Sequence, residues 1–528
     1  MRSINSIITR SMIKKALALA LALMLCCPAA LATTMDDSLT LGMISVKTTK
    51  LNPLIAQERE FQSLTALIYE GLYSLDDNYM PQKCLALNCD ADSTGKVWTV
   101  ELRDDIYFHD GTLCTAYDVV ATINEILRLA EEGKGQYAQL KYLISSATAN
   151  DAKSLIIKVS RPYYGIYYAL TFPVLPQSQV QADNPVGTGP FKAEQFVPTN
   201  YLYLSANSDW WNGVPEVKNI SVLFQATNRQ LIEDYEFNRV DAAITRSSAA
   251  GQYRTGLTNL NISYRTRQLE LLLMNEATAS FPLDDERVRR AIRYAIDADA
   301  IANAIYAGTA ERTDTPFPYG TWMYQDHDEA YEYNPEKAKA LLAEAGWSDS
   351  DGDGMLDIIT DGEKKNLKLR LITYEEPDNS VRVQAATMIS DMLWAVGIKA
   401  GDKDRNVESV SYSTAKARLS ARNFDLALVA FQMDTVPDPG FLLLSNNTGN
   451  FGGYKSSAMD GLFKQLRKTM DQPTYEGLLH QIQDQFAQDC PFVCLYYRCG
   501  ALLTRKVFTS SRDIREPEIL RGIESVGN

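Results

Sequence analysis

The stretch Val97–Val120, VWTVELRDDIYFHDGTLCTAYDVV, decides the fold of this 528-residue chain, because a strand, a turn and a helix start follow one another directly. Every second residue at its beginning is apolar, as in a half-buried strand: Trp98, Val100 and Leu102. Asp110-Gly111 predicts a tight turn. Thr115 and Asp118 then form a capping pair, so the stretch predicts a helix that begins just after Thr115.

The order W-T-x-x-L-R-x-x-x-x-F-x-D-G-x-x-x-T-A-x-D-V in this stretch resembles the signature of bacterial extracellular solute-binding proteins of family 5, the oligopeptide and dipeptide type. Six further segments resemble the family in its own order: Leu51–Leu54 (LNPL), Ile68–Leu72 (IYEGL), Val186–Phe191 (VGTGPF), Asn207–Trp211 (NSDWW), Arg287–Asp297 (RVRRAIRYAID) and Asn334–Trp347 (NPEKAKALLAEAGW). The resemblance covers nearly all of the chain after residue 40.

This resemblance implies an α/β, two-lobed periplasmic-binding-protein-like fold with a hinge and an additional small α/β domain, the large class II type. The implied division is a first lobe of residues 35–74, 186–270 and 498–528, a small domain of residues 75–185, and a second lobe of residues 271–497. The lobes would join near Glu270 and Tyr497, in segments rich in strand-forming residues, and paired crossings of this kind make a hinge.

The first 32 residues have the pattern of a signal peptide. Four basic residues precede an apolar run from Ala16 to Cys27, and Ala30-Leu31-Ala32 offers small residues for cleavage. We expect residues 1–32 to be removed and the protein to be exported, to the periplasm or the outer face of the cell membrane. An uncleaved anchor and a lipidated Cys26 or Cys27 are the alternatives, although Leu25 does not suit a lipidation site.

Charge and length limit the partners. The formal net charge is −14, and it falls to −18 without the four basic residues of the predicted signal peptide. An acidic surface disfavours nucleic acid and anionic lipid, both of which require basic groups. A chain of 528 residues is longer than a single hydrophobic core normally organises, so several domains are expected. We also expect the protein to be a monomer.

Six cysteines would remain in the mature chain: Cys84, Cys89, Cys114, Cys490, Cys494 and Cys499. Outside the cell such residues can pair, and six cysteines allow fifteen connectivities. A bond between Cys84 and Cys89, and one within the last three, are alternatives that the sequence does not decide. No spacing is CxxC and the chain has three histidines, which disfavours a zinc site.

Two helices in the middle of the chain have clear boundaries. Asp284 or Asp285 can cap a helix with one apolar stripe, and the prediction places its arginines outside the stripe: Arg287, Arg289, Arg290 and Arg293. Asn334 as a cap, Pro335 at the first position and Gly346 past the end delimit the second helix.

No catalytic constellation is visible, so we expect no enzyme and no cofactor; a secreted hydrolase is a weaker alternative. One acidic stretch resembles a calcium loop, with carboxylates at Asp349, Asp351, Asp353 and Asp357. Thr360 stands where such a loop has its bidentate glutamate. A solvated turn and weak calcium binding are the two interpretations.

The ligand-binding candidate is Asp434, in the segment Phe431–Phe441 (FQMDTVPDPGF). This segment resembles the family stretch in which a carboxylate pairs with the ammonium group of a peptide N-terminus. Phe431 replaces the family's tryptophan, and Asp438 competes for the same role. Three further aromatic residues are candidate ligand neighbours: Tyr69, Trp210 and Tyr496.

The resemblance therefore implies a receptor that closes around a short peptide and delivers it to the permease and ATPase subunits of an ABC importer. The same fold with an oligosaccharide, a nickel complex or haem is the main alternative. A sensory receptor with a separate signalling partner is another.

Overall fold

The computed structural model of the protein describes residues 37–527 apart from positions 46, 57, 254, 257–258, 278–281, 327–331, 377–379, 402–406, 509–513 and 521. It leaves out the side chains of residues 248, 507–508 and 525–527. The predicted signal peptide, with Cys26 and Cys27, lies outside the described residues.

Helices and strands alternate along the chain, as in mixed α/β proteins. The helices are α1 (Arg59–Ile68), α2 (Ala116–Glu131), α3 (Ile166–Ala169), α4 (Asn228–Glu236), α5 (Glu286–Ala295), α6 (Ala298–Tyr306), α7 (Pro335–Glu344), α8 (Val381–Ala395), α9 (Tyr412–Ser420), α10 (Gly440–Leu443), α11 (Ser457–Leu466) and α12 (Gln472–Asp489). The strands are β1 (Ser38–Ile44), β2 (Tyr73–Leu75), β3 (Pro81–Lys83), β4 (Ala86–Ala91), β5 (Val97–Leu102), β6 (Ile144–Ala149), β7 (Ser154–Val159), β8 (Phe191–Val197), β9 (Tyr201–Ala206), β10 (Asn219–Gln225), β11 (Ala242–Thr245), β12 (Leu260–Met274), β13 (Ala310–Arg312), β14 (Asp357–Thr360), β15 (Glu363–Asn366), β16 (Lys368–Leu369), β17 (Leu371–Tyr374), β18 (Lys399–Ala400), β19 (Glu408–Val410), β20 (Leu426–Gln432), β21 (Phe492–Thr504), β22 (Val507–Phe508) and β23 (Val526–Gly527).

The largest sheet has the order β19-β17-β20-β12-β21-β11-β1-β10-β9-β8, with β13 paired to β21. On one side of its centre β17 runs parallel to β19 and β20, and on the other side β1 runs parallel to β10 and β11. A separate antiparallel sheet has the order β4-β5-β7-β6. The large sheet therefore has two parallel groups of strands, one on each side of the central strands β12 and β21.

The stretch that opened the sequence analysis folds as predicted. In β5 the side chains of Trp98, Val100 and Leu102 are buried and those of the residues between them are exposed. Gly111 has a φ of +84°, as the predicted turn requires. Helix α2 begins at Ala116, and Thr115 and Asp118 form a reciprocal capping box.

The two helices predicted in the middle of the chain are present. Asn334 accepts a hydrogen bond from the backbone N–H of Lys337 at 2.9 Å at the start of α7, and Gly346, just past its end, has a φ of +93°. For α5 the structure selects Asp285, which accepts from the backbone N–H of Arg287 at 2.8 Å.

The predicted exposure of two arginines in α5 is wrong. Arg289 and Arg293 are only 5% and 6% exposed. The guanidinium of Arg289 donates to the carbonyl oxygens of Leu283 and Asp489 at 2.9 and 2.8 Å. Asp489 is the last residue of α12, and Leu283 lies in the turn before α5. Their carbonyl groups satisfy a buried cation that the helical pattern alone assigned to solvent.

Strands β12 and β21 are antiparallel and pair from Leu260 opposite Thr504 to Leu273 opposite Phe492. Glu270 lies opposite Tyr496 in this pair, at the centre of the large sheet. The role of these segments as a hinge stays a prediction. Among the residues described, no helix combines the length and apolar character needed to cross a bilayer.

Candidate functional site

A cavity of about 1060 Å³ lies between segments that are far apart in the sequence. Its wall includes residues from 53–75, 136–173, 210–212, 432–447 and 517–524. The volume is at the upper end of the range of about 300–1,000 Å³ that is usual for small-molecule sites. These segments belong to the first lobe, the small domain and the second lobe of the predicted division, so the cavity lies where those three parts would meet.

Asp434 lies in the wall of this cavity, two residues after the end of β20. Its exposed carboxylate accepts hydrogen bonds from the backbone N–H groups of Thr435 and Val436, at 2.7 and 3.4 Å. No basic side chain of the described residues pairs with it. The negative charge of Asp434 is therefore available to a cationic group in the cavity.

Asp438 also lines the cavity, but its charge is already compensated. Arg467 donates to both carboxylate oxygens, from Nε at 2.6 Å and from Nη2 at 2.8 Å. The hydroxyl of Tyr163 donates to Oδ2 at 3.3 Å. A bidentate pair of this kind is among the stronger hydrogen-bonded arrangements. Of the two candidate aspartates, Asp434 alone keeps an unpaired charge among the described side chains.

Tyr69 and Trp210 both contribute to the cavity wall. The hydroxyl of Tyr69 donates to the carbonyl oxygen of Pro185 at 2.8 Å, which orients the ring. The indole of Trp210 donates to Oε1 of Glu70 at 3.1 Å. Both aromatic residues are among the candidates predicted from the sequence. Glu70 is not, because the segment IYEGL carries the resemblance without indicating a role for its carboxylate.

Glu70 lines the cavity and is held by several donors. Trp211 donates to it from Nε1 at 3.1 Å, and Thr188 donates from its hydroxyl at 2.9 Å. Burial raises the pKa of Glu70 to about 7, although these hydrogen bonds favour the charged form. Glu70 therefore ties the tryptophan pair to the wall and titrates near neutral pH.

The structure does not bring Phe431 or Tyr496 to the cavity. Phe431 is partly buried and packs against Phe441 and Phe451, with ring centroids 6.1 and 6.0 Å apart. Tyr496 is 0% exposed and packs against Tyr306, with ring centroids 4.6 Å apart. Neither is among the described residues that line the cavity, because Tyr496 is enclosed in the core and the partly buried Phe431 packs against the core.

Two arginines of the cavity wall had no signal in the sequence: Arg161 and Arg267. Neither belongs to a motif, and a single arginine next to or within a strand pattern is usually a solvent-facing residue. The Nε atoms of both are shielded from solvent and have no hydrogen-bond acceptor.

The acidic stretch forms a compact turn before β14. Oxygen atoms of Asp349, Asp351 and Asp353 lie within 4.8 Å of one another, and all three side chains are exposed. Asp357 is not part of this group, and its carboxylate accepts from the hydroxyl of Ser350 at 2.7 Å. The ammonium of Lys364 pairs with Asp351 and, at 3.3 Å, with Asp357. Calcium binding at this turn stays a prediction.

None of the six described cysteines is in a disulfide, and all six are buried. The two pairings that the sequence left open are both absent from this structure. Burial raises the pKa of Cys89 and of Cys499 to about 12. The thiols are therefore buried apolar side chains here.

The mixed α/β fold, with its large sheet and a cavity between distant segments, is the fold class that the resemblance to periplasmic-type solute-binding proteins implied. The model of the family described as "bacterial extracellular solute-binding proteins, family 5 Middle" matches residues 80–453. The chain belongs to this family of solute-binding proteins of ABC transporters.

The chain is similar to binding proteins with different cargos. It is 26% identical over 476 residues to the oligopeptide-binding protein AppA of Bacillus subtilis, covering 85% of this chain and 84% of that protein. It is 25% identical over 406 residues to the nickel-binding protein NikA of Staphylococcus aureus, covering 74% of this chain and 75% of that protein. The solved structure of Bacillus subtilis AppA with a nonapeptide matches with a TM-score of 0.66 at 23% identity, covering 93% of this chain and 98% of that one.

Proposed function

We propose that the protein is exported, captures short peptides in the cavity of about 1060 Å³ and delivers them to the permease and ATPase subunits of an ABC importer. The observation that carries the peptide assignment is the unpaired, exposed carboxylate of Asp434 in the cavity wall. A charged amine taken into a closed cavity needs a counter-charge, because an unpaired buried ion costs several kcal/mol. The N-terminal ammonium of a peptide matches this carboxylate.

The similarity to an oligopeptide-binding protein supports a peptide cargo. The similarity to a nickel-binding protein supports the alternative of a metal complex in the same cavity. Mass spectrometry of ligand released from the purified protein identifies the cargo by its mass. It distinguishes a peptide from a metal complex, an oligosaccharide or haem.

Capture by closure supports the same proposal. The cavity wall draws on three parts of the predicted division, so a ligand inside it contacts all three and stabilises the arrangement that encloses it. We expect a peptide mixture to reduce the radius of gyration measured by small-angle scattering, with the protein remaining monomeric. An unchanged radius despite measured binding would contradict closure.

The peptide assignment is tested by Asp434→Asn, which keeps the shape of the side chain and removes its charge. A hydrogen bond to a charged group contributes about 1.5–3 kcal/mol, so we expect peptides with a free N-terminus to bind roughly 10- to 100-fold more weakly. N-acetylated peptides should bind the wild type and the mutant alike.

The matched control is Asp104→Asn, an exposed aspartate of the small domain that does not line the cavity. Calorimetry on the three proteins with paired free and acetylated peptides gives the comparison. Equal affinities in every combination would remove Asp434 from the binding site.

A further inference from the structure

The charged groups in the cavity wall are not all compensated. Among the described residues of the wall, the carboxylate of Asp434 and the guanidinium groups of Arg161 and Arg267 have no partner of opposite charge. The exposed ammonium of Lys83 also has none, and it donates to the neutral side chain of Asn88 at 3.1 Å. Asp438 is paired with Arg467, and Glu70 accepts from two indoles and a hydroxyl. The ligand of this cavity therefore meets unpaired positive groups as well as the carboxylate of Asp434.

Arg267 lies beside Asp434. Its carbonyl oxygen accepts from the backbone N–H of Met433 at 2.8 Å, so the two chain segments are adjacent. Arg267 and Asp434 also line a second, small cavity of about 30 Å³ together. Nη2 of Arg267 donates to the neutral side chain of Gln62 at 3.1 Å, and no carboxylate of the described residues pairs with its guanidinium. Its Nε has no acceptor.

Arg161 comes from the predicted small domain. Its guanidinium carbon lies 5.2 Å from the ring centroid of Tyr163, whose hydroxyl donates to Asp438. No acceptor within the described part of the chain bonds to Arg161, and its Nε is shielded from solvent. A guanidinium that is left without an acceptor beside a cavity is suited to a carboxylate, which it can bind through two parallel hydrogen bonds.

We propose that both arginines bind carboxylates of the cargo, and that the preferred cargo is a short peptide with an acidic side chain in addition to its C-terminal carboxylate. This rests on the proposed function. Because Arg267 is adjacent to Asp434, the carboxylate that it binds belongs to an acidic side chain close to the ligand's N-terminus. Arg161 binds the C-terminal carboxylate.

The test is calorimetry with four tripeptides: Ala-Ala-Ala, Ala-Asp-Ala, Ala-Asn-Ala and the C-terminal amide of Ala-Asp-Ala. The asparagine peptide keeps the shape of the acidic one and removes its charge. We expect the wild type to bind Ala-Asp-Ala on the order of tenfold more tightly than Ala-Asn-Ala, and also more tightly than the amide.

Two variants assign the two carboxylates. Arg267→Met keeps the aliphatic stem and should bring the ratio between the aspartate and asparagine peptides close to one, while the preference for a free C-terminus remains. Arg161→Met should remove the preference for a free C-terminus while the preference for the aspartate peptide over the asparagine peptide remains. Arg229→Met is the control, since Arg229 is 88% exposed and does not line the cavity.

The outcomes separate this inference from the proposed function. Equal wild-type affinity for Ala-Asp-Ala, Ala-Asn-Ala and the amide, together with measurable binding of all three, would overturn the acidic preference and leave peptide binding intact. Absence of binding for every peptide would overturn the proposed function itself. A tenfold ratio that persists in Arg267→Met would overturn the role of Arg267. If that variant does not fold, Arg267→Lys keeps one charge, and the same ratio must fall because the bidentate geometry is lost.

Discussion

The carboxylate of Glu270 and the guanidinium of Arg382 form a bidentate ion pair, with Nε donating at 2.9 Å and Nη2 at 2.7 Å. Neither side chain is exposed to solvent. Arg498 on β21 donates to the same carboxylate at 3.2 Å. The pair therefore connects the central strands β12 and β21 to the start of helix α8. Buried charges persist only where pairing and hydrogen bonds compensate for the lost hydration.

We expect Arg382→Met to destabilise the protein strongly, because the change leaves Glu270 as a buried carboxylate with Arg498 as its remaining partner. Removing one member of a buried ion pair costs about 3–5 kcal/mol, and the remaining arginine places the expected loss near the lower figure. Urea unfolding followed by circular dichroism measures it. Arg229→Met, which breaks an exposed pair with Glu233, should cost about 0–1 kcal/mol. Equal effects of the two changes would contradict a structural role for the buried pair.

Local structure was predictable where neighbours within a few residues decide it. The strand, turn and helix cap of residues 97–120 depend on contacts such as that between Thr115 and Asp118, three positions apart. The partners of Glu270 are 112 and 228 residues away in the chain, and those of Arg289 include a carbonyl group 200 residues away. Pattern alone assigned Arg289 to solvent because the acceptors appear only once distant segments pack together.

Some residues of the candidate site were predictable from the sequence, and others were not. The resemblance of Phe431–Phe441 to a family stretch directed attention to Asp434, and the structure places that residue in the cavity wall. Tyr496 is a candidate through its aromatic character alone, and its ring lies in the core. Arg161 and Arg267 gave no signal, since nothing in a linear sequence shows which arginines lack a partner after folding.

The cysteines give a prediction about redox state. Burial raises the pKa of Cys84, Cys114 and Cys494 well above the ordinary value, and the thiolate is the reactive form. We expect a thiol reagent such as Ellman's reagent to find almost no reactive thiol in the folded mature protein and six after unfolding in guanidinium. A count of four, two or none in the unfolded, unreduced protein would indicate disulfides and contradict this structure.

The acidic turn should bind calcium only weakly. Asp349 already accepts from the backbone N–H groups of Gly352 and Gly354, at 2.8 and 3.0 Å. The ammonium of Lys364 pairs with Asp351 and Asp357, so it already compensates negative charge that a bound calcium ion would otherwise compensate. We expect a dissociation constant of roughly 10⁻⁴–10⁻³ M, as in weak extracellular sites.

Lys364→Met is the corresponding variant, and it should bind calcium more tightly than the wild type because the competing ammonium is gone. Calorimetric titration after treatment with a chelator provides the measurement, with Lys339→Met, a lysine of α7 paired with Glu336, as the control. Unchanged weak affinity in Lys364→Met would show that the carboxylates do not converge on an ion.

Glu70 gives the last prediction, which concerns pH. Burial raises its pKa from 4.5 to about 7, so between these values the folded protein keeps a proton that the unfolded chain releases. The contribution to the free energy of unfolding is therefore fully present below the unfolded pKa and is lost as the pH rises to about 7. One pKa unit corresponds to about 1.4 kcal/mol, and the hydration available in the cavity reduces the effect, so we expect a loss of about 1–3 kcal/mol between about pH 5 and about pH 8.

Glu276 and Asp314 also have raised pKa values and contribute in the same direction, which makes the difference between the wild type and Glu70→Gln the informative quantity. Urea unfolding of both proteins across this range should show a wild-type stability that falls more steeply with pH, whereas parallel curves would mean that Glu70 is ionised throughout.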